Sequence, residues 1–265
     1  MQSAQNTIAL LGATGKTGRS ILRLLLEKDS LNLHVYVRSK QKLFSLFPEI
    51  ATINHVRVCE GTITDQQVMI ECLSGADTII CTLGENENIR GVSVLQDSAR
   101  CIVTALEELK LKAPAYTKPR LLYLSSSSEN ERFAAARPPL VHWLIETAFY
   151  FPYQDLKEAQ RILLGAPSLI SLQLVQPPVL VEEAPSGYEI STDFVRLGVS
   201  YDDLAAGFVA LACHKQYEDI KAIGVSSRDG DAPLRYAPII FSRIFLGFLT
   251  GYVPGFWALR QRLGL

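Results

Sequence analysis

Thr7-Ile8-Ala9-Leu10-Leu11-Gly12-Ala13-Thr14-Gly15-Lys16-Thr17-Gly18-Arg19 is the stretch that decides the reading of this chain. An apolar run gives way to three glycines at intervals of three, and a helical apolar pattern follows at once. That order predicts strand, tight turn and helix, an arrangement in which backbone N–H groups and a helix N-terminus meet a phosphate. Gly12 is expected to allow the turn, Gly15 to admit a pyrophosphate close to the backbone, and Gly18 to let the helix lie tightly on the strand. Thr14, Lys16 and Thr17 complete the expected cofactor loop. Gly15-Lys16-Thr17 also has the ending of a triphosphate-binding loop. That motif needs a glycine at position 10, where Leu10 stands, so the three-residue spacing favours a dinucleotide.

Working outward, Leu31–Val37 reads as the second strand and ends at Arg38, twenty positions after Gly18. An NAD-preferring fold usually has an acid there to bond the ribose 2′-hydroxyl. A guanidinium instead suits a 2′-phosphate through charge-assisted hydrogen bonds, which points to NADP(H). Asp77–Thr82 reads as a fourth strand without a terminal acid, running into Leu83-Gly84. Thr82, Leu83 and Gly84 are expected to border the cofactor. Strands at Thr7–Leu11, Leu31–Val37, His55–Val58, Asp77–Thr82, Lys118–Leu124, Leu169–Val175 and Ala222–Ser226 alternate with helical patterns. This predicts an α/β fold with a doubly wound parallel sheet. Residues 1–230 read as one dinucleotide-binding domain that includes the substrate pocket, and 231–265 as an apolar helical appendage of the same domain.

The chain has 265 residues, of which 48% are hydrophobic and 20% charged, the make-up of an ordinary globular protein. Its net charge of −1 gives no electrostatic footprint for nucleic acid. Five cysteines show no metal-ligand spacing and read as structural thiols of a reducing, cytoplasmic compartment. The polar start, Met1 to Asn6, lacks a signal-peptide pattern.

Ligands bind outside the carboxyl ends of such sheets. There the fifth strand runs into Ser125-Ser126-Ser127-Ser128, and the sixth into Gln176-Pro177-Pro178. Tyr153 and Lys157 lie four apart on a helical pattern and so share a face. A phenol that donates its proton to a carbonyl oxygen is expected to have its pKa lowered from ~10, and a neighbouring ammonium would do that. Ser126 or Ser127 would hold the substrate oxygen.

Gly12-x-x-Gly15-x-x-Gly18, the serine run and Tyr153-x-x-x-Lys157 together resemble the short-chain dehydrogenase/reductase superfamily with its Rossmann fold. In detail Leu10–Gly15, Tyr153–Ala159 and Gln176-Pro177-Pro178 are similar to its atypical branch, including averufin oxidase A-like proteins of fungal aromatic polyketide pathways. The resemblance implies an NADP(H)-dependent oxidoreductase acting on a hydrophobic small molecule. Tyr153, Lys157, Ser126 and Ser127 would be its catalytic residues, and Lys157 and Pro177 would also face the cofactor. Two departures stand out: the long gap from the serine run to Tyr153, and the lack of an asparagine in Arg90–Leu111. A redox-neutral isomerase, dehydratase or cyclase and a non-catalytic dinucleotide sensor are the other readings.

Pro238–Leu265 is strongly apolar, but Arg243 and Pro254 interrupt it. A spanning segment needs ~20 mostly apolar residues. The stretch therefore reads as a pair of short helices packed on the domain. The alternative is a surface for a second subunit or for peripheral membrane association.

Overall fold

The computed structural model describes residues 6–113, 115–135 and 137–264; the start of the chain, apart from Asn6, lies outside the described residues. The chain runs β1 (Asn6–Leu11), α1 (Lys16–Leu26), β2 (Leu31–Val37), α2 (Lys40–Leu46), β3 (Val56–Glu60), α3 (Gln66–Leu73), β4 (Thr78–Cys81), α4 (Val94–Lys112) and β5 (Arg120–Leu124). It continues α5 (Glu131–Ala134), α6 (Pro139–Ala148), α7 (Tyr150–Leu164), β6 (Ser171–Val175), β7 (Val179–Val181), β8 (Tyr188–Ser191) and β9 (Gly198–Ser200). The last elements are α8 (Tyr201–Cys213), β10 (Ala222–Ser227), α9 (Pro233–Tyr252) and α10 (Phe256–Leu263).

The main sheet has the order β3-β2-β1-β4-β5-β6-β10-β8. Its pairs are parallel except β10–β8. The fold is a doubly wound α/β sheet with a C-terminal helical region. The chain winds one way from β1 to β3 and the other way from β4 onward, so the topological switch lies between β1 and β4.

Side chains alternate between the two faces of the sheet. In β1, Ile8 and Leu10 join the core under α1, α2 and α8, while Ala9 and Leu11 join the core under α3, α4 and α7. Burial on both faces is why these strands read as continuous apolar runs rather than alternating ones. Helix α1 buries Ile21, Leu22 and Leu25, each contributing roughly 1.5–3 kcal/mol. Asp65 accepts from the Val68 N–H and caps α3, and Ser200 accepts from the Asp203 N–H and caps α8.

Two expectations need correction. The apolar runs predict seven strands, and the structure adds β7, β8 and β9. Each is only three or four residues long, too short for a periodicity. β8 is the antiparallel edge, and β7 and β9 form a separate parallel pair. The C-terminal region is not a pair of short helices: α9 runs for 20 residues through Pro238, and only α10 is short.

Helix α9 packs along α6. A Cβ on Gly247 would stand 2.3 Å from the Ala148 carbonyl oxygen, so the close approach requires glycine. The buried Asn88 donates from Nδ2 to the Gly247 carbonyl at 3.1 Å and accepts at Oδ1 from the Phe151 N–H at 3.0 Å. It ties α9 to the start of α7. Phe241 and Phe245 remain exposed on α9. Among the described residues no single helix is long and apolar enough to cross a membrane. α9 and α10 meet the length and apolarity requirements only jointly, across a bend of 117°.

Candidate functional site

The carboxyl ends of the central strands are level. Leu11 pairs with Cys81, Cys81 with Tyr123, and Tyr123 with Leu174. Gly12, Thr82, the serine run and Gln176-Pro177 therefore follow one another along a single rim.

Each glycine of the loop has a distinct reason. Gly12 has φ +93°, and a Cβ there would stand 2.8 Å from Thr82 Oγ1. A Cβ on Gly18 would stand 2.1 Å from the Gly12 carbonyl oxygen, so α1 can approach the loop only without one. Gly15 meets nothing nearer than 3.4 Å and is exposed, which leaves its outer side open to a ligand. As the cap of α1 it offers no side-chain oxygen to the first-turn N–H groups. These are the features that fit a pyrophosphate.

Arg38 is exposed at the end of β2 and, among the described residues, has no hydrogen bond or ion pair. Thr82 donates from Oγ1 to the Leu11 carbonyl at 3.1 Å, Leu83 packs on the core beneath, and Gly84 has open space where a side chain would be. Thr14 is half-buried, and Thr17 turns inward. Lys16 reaches across the mouth of the loop to pair with Glu182 and lies over the Tyr201 ring. The Pro177 carbonyl accepts from the Ser127 N–H at 3.0 Å, joining the end of β6 to the serine run.

Tyr153 lies in the first turns of α7. Its hydroxyl is 3.3 Å from that of Ser126. Ser128 is the second hydroxyl at the phenol, and it accepts from the Arg137 guanidinium at 2.8 Å. Ser127 instead turns into the protein, 1% exposed. The expected lowering of the Tyr153 pKa does not occur. Burial pushes it up, only partly offset by the Ser126 and Ser128 hydroxyls and Arg137. Lys157 lines the same cleft as Tyr153 but is held 3.6 Å from both Glu129 and Glu146. Its ammonium is shared with two carboxylates, so it does not act on the phenol as an isolated charge.

Sequence reasoning missed Glu146, Arg137 and Asp155 as site-building residues, and reads Glu129 only as part of a loop face that could cover the site. Glu129 closes the 3-10 turn Ser127–Glu129, directly after the four serines Ser125–Ser128. Its position directly after the serine run was the one available signal. Glu146 lines a cleft of about 270 Å³ with Trp143, Thr147, Tyr150, Tyr153, Gln154 and Lys157. Among the described residues no group of three His, Cys, Asp or Glu side chains converges to hold a metal.

The arrangement can hold a dinucleotide on the loop and present a protonated phenol to a substrate in an aromatic-walled cleft. Comparison with known proteins supports the dinucleotide-binding part of this reading. Residues 12–215 match the family described as NAD(P)H-binding. Averufin oxidase A of Aspergillus flavus is 37% identical over 233 residues, which cover 83% of this chain and 82% of that protein. The oxidoreductase ordB of Dothistroma septosporum is 31% identical over 252 residues, 95% and 93% of the two chains. A short-chain dehydrogenase/reductase from Veillonella parvula in complex with NADP superposes with a TM-score of 0.66 at 19% identity, covering 86% of this chain and 97% of that one. The last likeness shows the fold. The chain belongs to the NAD(P)H-binding family, as a Rossmann-fold oxidoreductase related to the fungal proteins ordB and averufin oxidase A.

Proposed function

We propose that the chain is an NADPH-dependent reductase of a carbonyl or quinone in a flat, hydrophobic, aromatic polyketide-like molecule. The observation that carries the reading is the Tyr153 phenol, 3.3 Å from Ser126, beside a cleft walled by Trp143 and Tyr150. Clefts that are mostly apolar with a few convergent polar groups suit such substrates.

The loop Gly12–Gly18 and the N-terminus of α1 would hold the pyrophosphate, Arg38 the 2′-phosphate, and Thr82, Leu83 and Gly84 would border the ribose. The bound dinucleotide supplies hydride. Tyr153 gives its proton to the carbonyl oxygen as negative charge develops there, and the Ser126 and Ser128 hydroxyls hold that oxygen. Burial keeps Tyr153 in its protonated, donating form through neutral pH. That favours reduction over the reverse reaction, which needs a phenolate. One relative is named averufin oxidase A, so redox chemistry is the activity class to test first.

The test is NADPH consumption with a panel of naphthoquinones, anthraquinones and aryl ketones. Tyr153→Phe is expected to lower kcat by roughly 100-fold or more, the scale of general acid catalysis. A rate unchanged by that substitution would remove Tyr153 from the reaction.

A further inference from the structure

Arg137 reaches the hydroxyls around Tyr153 from the segment before α6. Its Nη1 donates to Ser128 Oγ at 2.8 Å. The Ser128 N–H donates to Ser126 Oγ at 3.3 Å, and that hydroxyl lies 3.3 Å from the Tyr153 phenol. The turn after β5 therefore brings a phenol and a guanidinium to neighbouring hydroxyls. Two carboxylates lie nearby, and both are engaged elsewhere. Glu129 and Glu146 each stand 3.6 Å from Lys157, and the second Glu146 oxygen is 3.6 Å from His142 Nε2. His142 Nδ1 is 3.5 Å from Arg137 Nη1. A guanidinium only donates, so Nδ1 is the bare nitrogen of a neutral ring, and Nε2 carries its proton toward Glu146.

Arg137 thus has two neutral neighbours, Ser128 and His142, and among the described residues no carboxylate at ion-pair distance. A cation withdrawn from water without a counter-charge is unfavourable until something pairs it. Arg137 is half-buried, and burial lowers its pKa from the ordinary arginine value. The one influence opposing that shift is Tyr153, not a carboxylate. Both contacts of the guanidinium use Nη1. The Nε–Nη2 edge, whose two N–H groups match the two oxygens of a carboxylate, has no hydrogen-bond partner among the described residues.

We propose that Arg137 is the seat for a carboxylate of the substrate: the compound bears a carboxylate beside its reacting carbonyl, held in the fork of Nε and Nη2 while the carbonyl oxygen meets Tyr153 and Ser126. The inference deepens the reductase reading above and rests on it for the carbonyl that reacts. Ser128 sets the spacing. It bonds Arg137 directly and stands next to the Ser126 hydroxyl, so the two substrate groups occupy neighbouring positions of one ring system. Lys157 does not compete for the anion, because its ammonium is already shared by two carboxylates. A two-toothed contact fixes orientation as well as charge. In a quinone, which has two carbonyls, the seat selects the one offered to Tyr153.

Equilibrium titration of the full chain loaded with NADP+ tests the seat without turnover. The probes are anthraquinone-1-carboxylate, whose carboxylate neighbours a carbonyl, its 2-carboxylate isomer, and the uncharged 1-carboxamide. Wild type is expected to bind the 1-carboxylate about tenfold or more tightly than either of the others, the worth of charge-assisted pairing. Arg137→Gln should abolish that preference. Arg137→Lys, which keeps the charge but not the fork, should retain part of it and guards against a folding defect in the amide variant. Ser128→Ala removes the contact that Arg137 makes to the serine and should keep the preference for the 1-carboxylate over the 1-carboxamide, which separates a seat for the anion from a strut for Ser128. Equal binding of the 1-carboxylate and the 1-carboxamide by wild type, or a preference that survives Arg137→Gln, overturns the seat. A 2-carboxylate bound as tightly as the 1-carboxylate overturns its place beside the carbonyl. With NADPH in place of NADP+, a wild-type protein that binds the 1-carboxylate as expected but reduces none of the three overturns the reductase reading and leaves the carboxylate seat standing.

Discussion

Asp155 Oδ2 accepts from the backbone N–H of Leu95 at 2.8 Å, and Oδ1 accepts from the next amide, Gln96, at 2.9 Å. Ser93, the residue at the cap position of α4, makes no side-chain cap bond of its own. A carboxylate on α7, 1% exposed, caps α4 from 60 residues away. It thereby fixes the helix that carries Tyr153 and Lys157 against its neighbour. Removing it leaves a buried and a half-buried amide without an acceptor. Asp155→Ala is predicted to destabilise the protein by roughly 2–4 kcal/mol in urea denaturation. A loss below about 0.5 kcal/mol would show that the cap does not hold the two helices together.

Arg38 is exposed at the end of β2 and pairs with no other side chain among the described residues; the proposed 2′-phosphate would lie there. Arg38→Ala is predicted to weaken NADPH binding by about 10- to 100-fold, the worth of charge-assisted hydrogen bonds, and NADH binding by less than about threefold. Titration of both cofactors by fluorescence quenching measures this. Equal loss for the two would assign Arg38 to the fold rather than to cofactor choice.

Glu129 sets a pH dependence of stability whose sign follows from its burial. The folded chain holds the Glu129 proton more tightly than the unfolded chain does, because the native carboxyl sits above the usual range. The resulting stabilisation is whole below the unfolded carboxylate pKa of about 4.3 and is lost as pH rises through the higher native value. Glu129→Gln never ionises. It is predicted to be more stable than wild type at neutral pH, by a margin that closes as pH falls below about 4. Urea midpoints across that range check it, and a margin independent of pH would contradict it.

Gly247 lets α9 touch the end of α6, with the Ala148 carbonyl 2.3 Å from where a Cβ would stand. Gly247→Val is predicted to cost roughly 1–3 kcal/mol through overpacking. It should also disturb the start of α7, because Asn88 bonds both Gly247 and Phe151. Thermal unfolding and limited proteolysis after α8 would report it. Unchanged protease resistance would show that α9 tolerates the displacement.

The parts legible in the sequence were those with a local cause. β2 has the bounds its apolar run predicts, and the glycine spacing marks the loop at the head of the sheet. Tyr153 and Ser126 were legible as a helix face and a strand end, which the level strand register brings to one rim. What stayed hidden depends on contacts between distant segments. Glu129, Glu146 and Lys157 come from a turn and two helices, and no spacing rule joins them. Ser128 replaces Ser127 at the phenol because a 3-10 turn, not a continued strand, follows Ser126. The rise in the Tyr153 pKa comes from burial, which spacing from Lys157 does not reveal.

The central claim is that Tyr153 and a bound dinucleotide together reduce a carbonyl or quinone. The direct measurement uses NADPH deuterated at the reactive nicotinamide carbon and follows the label by mass spectrometry of the product. The account predicts one deuterium on the reduced product, at a rate that Tyr153→Phe lowers roughly 100-fold. A product of unchanged oxidation state without label, or binding of NADPH with no conversion across the panel, would contradict it.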